Sequence, residues 1–139
     1  MTDTFDTRLN ELLEEFELFD DWEDRYRYII DLGKTLAPLT DAERNDDTRV
    51  RGCASQVWLV IDPAPQGVVA FRGDSDAHIV KGLVAILVRL LSGLPVEQVR
   101  GFSIRDTLTR LGLDEALSSQ RTNGLISMAE RLKRLADPA

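Results

Sequence analysis

Cysteine and histidine, the side chains that most readily act as nucleophile and proton shuttle near neutral pH, occur once each in this sequence, as Cys53 and His78. One of each makes no metal-ligand cluster, no Ser-His-Asp arrangement can be argued, and no phosphate-cradling G-x-x-x-x-G-K-[ST] loop is present. Cys53 therefore carries whatever covalent chemistry the chain performs. A lone cysteine is often just a small buried hydrophobe. Here Arg49 and Arg51 lie close by in sequence and favour a thiolate, Gly52 lets main chain or a reactant approach, and Ser55 follows. A polar, basic loop is a poor setting for a merely structural thiol, so Arg51, Gly52 and Ser55 are read as its support.

The remaining candidates are weaker. Asp74 and Asp76 have the look of an acid–base carboxylate pair, but they precede an apolar helical run, where they or Ser75 serve as caps. His78 falls in the first turn of that run with no second ligand candidate. Lys81 lies on the same run and is expected either to reach Asp74 or Asp76 or to face the thiol loop.

The elements that must position the thiol follow from periodicity. Leu9, Leu12, Leu13, Phe16 and Phe19 predict an amphipathic helix from about Arg8. Asp20 with Glu23 opens a second, whose inward stripe is Trp22, Tyr26, Ile29, Ile30 and Gly33, stopping before Pro38. From Thr48 the period becomes two. Gln56 to Ile61 and Val68 to Arg72 read as a hairpin around Asp62-Pro63-Ala64-Pro65-Gln66-Gly67, with Thr48-Arg49-Val50 as a short third strand. This leaves Arg51 to Ala54 as a tight loop. Ten of the thirteen residues from Ile79 to Leu91 are apolar, so a helix over Ala77 to Ser92 is the buried centre, ended by Gly93 and Pro95. Short helical pieces at Val96–Arg100, Arg105–Leu111 and near Asp114 lead to a last helix, Arg121 to Leu135, that turns Leu125, Met128, Ala129 and Leu132 inward. The expected fold is one α+β domain over residues 1–139, a small antiparallel three-stranded sheet packed against helices.

At 139 residues and 43% hydrophobic content, no disulfide or metal is needed to hold such a core. The longest apolar run, Leu83 to Val88, is too short to cross a bilayer. With no basic or apolar leader at Met1 to Asp6 and a single unpaired cysteine, a cytoplasmic location is expected. The net charge of −7 argues against nucleic acid as a partner. Residues 1–47 hold 15 acidic and 5 basic side chains, so the acidity is concentrated ahead of the cysteine, as a solvated face or as a means of steering toward a basic partner.

Val50-Arg51-Gly52-Cys53-Ala54-Ser55-Gln56-Val57-Trp58 resembles the cysteine loop of the SufE family of sulfur acceptors, roughly V-x-G-C-x-S-x-V-W. Phe71-Arg72-Gly73-Asp74-Ser75-Asp76-Ala77 with Ile79-Val80-Lys81-Gly82-Leu83 is similar to the family's second block. Leu117-Ser118 with Arg121-Thr122-Asn123-Gly124-Leu125 and Met128 is similar to its third. The resemblance spans about residues 16 to 135. It implies a fold shared with iron–sulfur scaffold proteins of the IscU type and a cysteine desulfurase as partner. The pyridoxal phosphate belongs to that partner, so no cofactor is expected on this chain. It further implies that Cys53 accepts persulfide sulfur and passes it to a cluster-assembly scaffold, and that Arg121 lies near the thiol. One cysteine does not suffice to hold a cluster here.

Three functions remain open at this level: a sulfur carrier that stimulates a desulfurase, an independent thiol enzyme relying on His78 as base, and an adaptor for which Cys53 is incidental. For the carrier, Gly52 and Ala54 permit a loop with a sheltered and an extended position, with Val57, Trp58 and Leu83 as the expected shelter.

Overall fold

A computed structural model describes residues 4–53 and 55–136. Helix α1 (Phe5–Glu17) starts where the Thr4 side chain accepts from the Thr7 amide, and its Leu9, Leu12 and Phe16 stripe is buried. Helix α2 (Trp22–Gly33) is capped by Asp21, not Asp20, accepting from Asp24 N at 2.9 Å. Ile29 and Gly33 are buried as expected, but Trp22 at the first turn is exposed.

Strands β1 (Val57–Asp62) and β2 (Val68–Ser75) form the expected hairpin, in register from Val57↔Ser75 to Asp62↔Ala70. The third strand is not Thr48-Arg49-Val50. That segment makes a single bridge, Arg49↔Trp58, flanked by Leu59 N to Thr48 O at 2.9 Å and Val50 N to Val57 O at 2.8 Å. It is clipped on one side by the Asn45 side chain, which accepts from Asp47 N and Thr48 N, and on the other by the turn at Gly52. The sheet, in order β1-β2-β3, is instead completed by β3 (Leu94–Pro95), paired with Val68 and Val69.

Helix α3 (His78–Leu91) buries most of its surface against β2 and α2. Its contact with α2 is backbone to backbone: a Cβ at Gly82 would stand 2.1 Å from Ile29 O, and one at Gly33 would stand 2.8 Å from Gly82 N. Asp74 and Asp76 were expected to cap α3, and they do not. The N-cap is Ala77, without a side-chain bond. The physical reason is that β2 runs on through Ser75, so Asp74 stays in the ladder opposite Trp58, while the Asp76 carboxylate is taken up by the Gln56 amide.

After α3 the chain passes through β3 into α4 (Val96–Gly101), α5 (Ile104–Leu111), α6 (Leu113–Ala116) and α7 (Ser119–Ala136). Helix α7 buries Leu125, Met128, Ala129 and Leu132, as its spacing predicts. The observed architecture is α+β, one antiparallel three-stranded sheet with helices and a single connected core. Among the described residues no helix is long and apolar enough to cross a membrane.

Candidate functional site

The thiol loop leaves the Arg49 bridge and turns sharply at Gly52, whose φ of +89° lies in the left-handed region that favours glycine. A second constraint acts on the same residue, since a Cβ at position 52 would come within 2.6 Å of Ser127 Oγ on α7. Cys53 follows, half-buried, with its thiol donating to the Gly124 carbonyl oxygen at 3.5 Å. Ala54 lies outside the described residues. The loop is thus laid along α7, with consecutive residues 52 and 53 facing Ser127 and Gly124.

Cys53 opens onto a cavity of about 140 Å³. Val80 and Leu83 of α3 and Met128 of α7 form its apolar side, while Ser55, Gln120 and Arg121 supply polar groups. Leu83 lines the shelter as expected; Val57 and Trp58 belong to β1 and do not line it. Arg121 is brought to the thiol's cavity, as the resemblance implied, and donates from Nη1 to the Tyr26 hydroxyl at 3.1 Å. Arg51, by contrast, is exposed and does not line the cavity.

Electrostatically the resting thiol is the reverse of the sequence expectation. Burial pushes the Cys53 thiol up from its ordinary value, and no arginine offsets it in this position. The site shown is that of a guarded thiol.

Each of the other candidates has a structural partner. Asp76 Oδ1 accepts from Gln56 N at 3.0 Å, fastening the far end of the thiol loop to the start of α3. Asp74 is buried, accepts from Ser75 N, and meets Arg44 at 3.3 Å and Lys81 at 3.4 Å. Lys81 is therefore committed to Asp74 rather than to the thiol. His78 is exposed and not part of the cavity lining, which leaves no imidazole or carboxylate among the lining side chains to serve as base for an independent thiol enzyme. Among the described residues no group of acidic, histidine or cysteine side chains could hold a metal.

The sequence reading did not assign Tyr26, Gln120, Ser127 or Val80 to the site. Tyr26 was legible only as one of an inward stripe. Ser127 carries no signal, because its role is to fit under a glycine 75 positions earlier.

Fold and site together describe an α+β protein in which one thiol on a tight loop is docked against the terminal helix over a small, partly apolar cavity. A family model, SufE, described as an Fe-S metabolism associated domain, matches residues 10–136, and the chain belongs to this family. Its role accordingly lies in iron–sulfur metabolism. An uncharacterized SufE-like protein of Rhizobium etli is 46% identical over 135 residues, covering 95% of this chain and 91% of the relative. Another, of Rhizobium meliloti, is 45% identical over 134 residues, covering 94% and 96%. A solution structure of a hypothetical protein from Thermus thermophilus matches with a TM-score of 0.75 at 22% identity, covering 93% of each chain, which bears on the fold alone.

Proposed function

We propose that this protein is a sulfur acceptor, taking persulfide sulfur from a cysteine desulfurase onto Cys53 and delivering it to iron–sulfur cluster assembly. The observation that carries this reading is the placement of the chain's one cysteine on a loop, half-sheltered beside a cavity with Arg121 at its lining and, among the described residues, no base in that lining and no metal-ligand set. That arrangement suits storage and hand-over of sulfur better than turnover.

The step balances simply. Cys53 loses its proton to solvent or a partner base, and the thiolate attacks the outer sulfur of the donor's persulfide. The donor's S–S bond breaks, its cysteine leaves as thiolate, and Cys53 becomes the persulfide with no net oxidation. A persulfide is more acidic than a thiol, and Arg121 supports its negative charge. Sulfur must leave the shelter for this to occur, so binding of the donor favours an extended loop. The carrier works without a resident cofactor, which elemental analysis of the purified protein at one metal per chain would contradict.

The test is intact-protein mass after incubation with a cysteine desulfurase and free cysteine. Wild type gains one sulfur atom, and Cys53→Ser gains none and no longer stimulates the desulfurase. Undiminished stimulation by Cys53→Ser would instead favour an adaptor for which the thiol is incidental.

A further inference from the structure

The geometry points to Arg131 as a positioning residue for the thiol loop, holding its incoming strand in register on α7. It deepens the reading of Cys53 as the reacting thiol and rests on that reading for its significance. Three residues of α7 one turn apart meet the chain that carries the thiol. Gly124 O accepts from Cys53, Ser127 Oγ fits beneath Gly52, and Arg131 Nη2 donates to the Asp47 carbonyl oxygen at 2.7 Å. Positions 124, 127 and 131 share a helix face, so the segment from residue 47 to 53 lies along one stripe of the helix, in reverse order.

The first two contacts are local to the loop; its approach is paired to β1 through Thr48, Arg49 and Val50, and Arg131 ties the turn before it to α7. The turn at 45–48 has side-chain bonds of its own from Asn45 and Thr48, so it is a rigid piece. Main-chain bonds to β1 set the Arg49 bridge, and the Arg131 bond to that rigid piece draws the same segment, and with it Gly52, onto α7. Arg131 is held there at a cost. Its Nε is buried without a hydrogen-bond partner among the described residues, so that group has given up water with no bond in return. A surface arginine free to choose would keep Nε in solvent.

This cost gives the proposal a signature that loss of fold does not share. Arg131→Met keeps an apolar stem of similar length, removes the unpaired donor and cuts the tie. Its unfolding midpoint should match or exceed that of wild type, while the loop loosens. Arg131→Lys retains one donor within reach of the Asp47 carbonyl.

The experiment measures iodoacetamide alkylation of Cys53 across pH, together with thermal unfolding, for the full chain and both variants. Arg131→Met is expected to alkylate at least threefold faster, with its pH midpoint moved down toward that of an unburied thiol and with unfolding not lowered. Arg131→Lys should lie between Met and wild type. Alkylation of Arg131→Met at the wild-type rate would overturn the proposal. So would a rate rise matched in both variants by a fall in the unfolding midpoint, which would mean general loosening. Neither readout involves sulfur transfer, so failure here leaves the acceptor role of Cys53 standing, and failure of that role leaves this placement of the loop intact.

Discussion

The Cys53 thiol donates to the Gly124 carbonyl oxygen across 3.5 Å, joining the loop to main chain 71 residues further on. A helix carbonyl already accepts from within its helix, and sulfur is a weak donor, so the bond holds the loop lightly. Burial is what holds the proton on the sulfur.

Alkylation of the free, folded protein is therefore expected to have a pH midpoint above 9.0, the ordinary thiol value. The sign for stability follows from the raised value. Cys53's contribution is complete below 9.0 and is lost as pH climbs through the folded value, so alkali rather than acid draws on it. Denaturant unfolding of Cys53→Ser lacks that alkaline decline. A wild-type alkylation midpoint at or below 9.0 would contradict the sheltered thiol.

Arg121 lines the cavity, and the shift of the resting thiol comes from burial. Arg121→Ala is expected to leave the alkylation midpoint of the free protein unchanged and to slow sulfur transfer about tenfold, the loss of roughly one hydrogen bond to a charged group, about 1.5 kcal/mol. Single-turnover transfer from a persulfidated desulfurase measures it. An unchanged rate would remove Arg121 from the reaction.

Gly82→Ala tests the seam between α2 and α3. The added methyl would stand 2.1 Å from Ile29 O, a main-chain atom that moves only if the helices part. A loss of about 3 kcal/mol is expected in urea unfolding, at the upper end for overpacked cores. A cost below about 1 kcal/mol would mean that the two helices are less closely joined.

Glu43 provides the acid-side counterpart. Its carboxylate bonds to Arg72, which also holds Asp62 of β1, and accepts from Thr40 N; these bonds lower its pKa from 4.5 to about 2. A lowered value contributes stability that is complete above 4.5 and lost as pH falls toward about 2. Replacing it in Glu43→Gln should flatten the stability curve across that window, read by thermal unfolding at several pH values. An unchanged slope would show that the clasp does not persist in solution.

Local patterns made most of the fold legible, and long-range contacts account for what was missed. The hairpin as far as Arg72, the apolar helix around Leu83 and the Leu125-Met128-Leu132 stripe of α7 announce themselves by period and type, whereas the continuation of β2 through Gly73 to Ser75 does not. The third strand did not, because two residues, Leu94 and Pro95, are too few to show a period. Asp74 and Asp76 were misread as caps because a cap and a strand end look alike until the register with Trp58 is known. Cys53 stood out by being alone, and its neighbour Arg51 suggested activation. What sets its proton affinity, however, is contributed by α3 and α7, and nothing within a few residues of the thiol reports how deeply a helix from the chain's other end will cover it. Resemblance found Arg121; it gave no notice of Tyr26, Ser127 or Arg131.

The docking of the thiol loop on α7 also orders events at the ribosome. Cys53 emerges 71 residues before Gly124, which at about 5–20 residues per second is an interval of roughly 4–14 s. Throughout that time β1, β2 and α3 can assemble, but the helix that closes over the sulfur has not been made. The oxidisable atom of a nascent chain is thus guarded last, and each newly synthesised molecule depends on the reducing strength of its surroundings before it has any protection of its own.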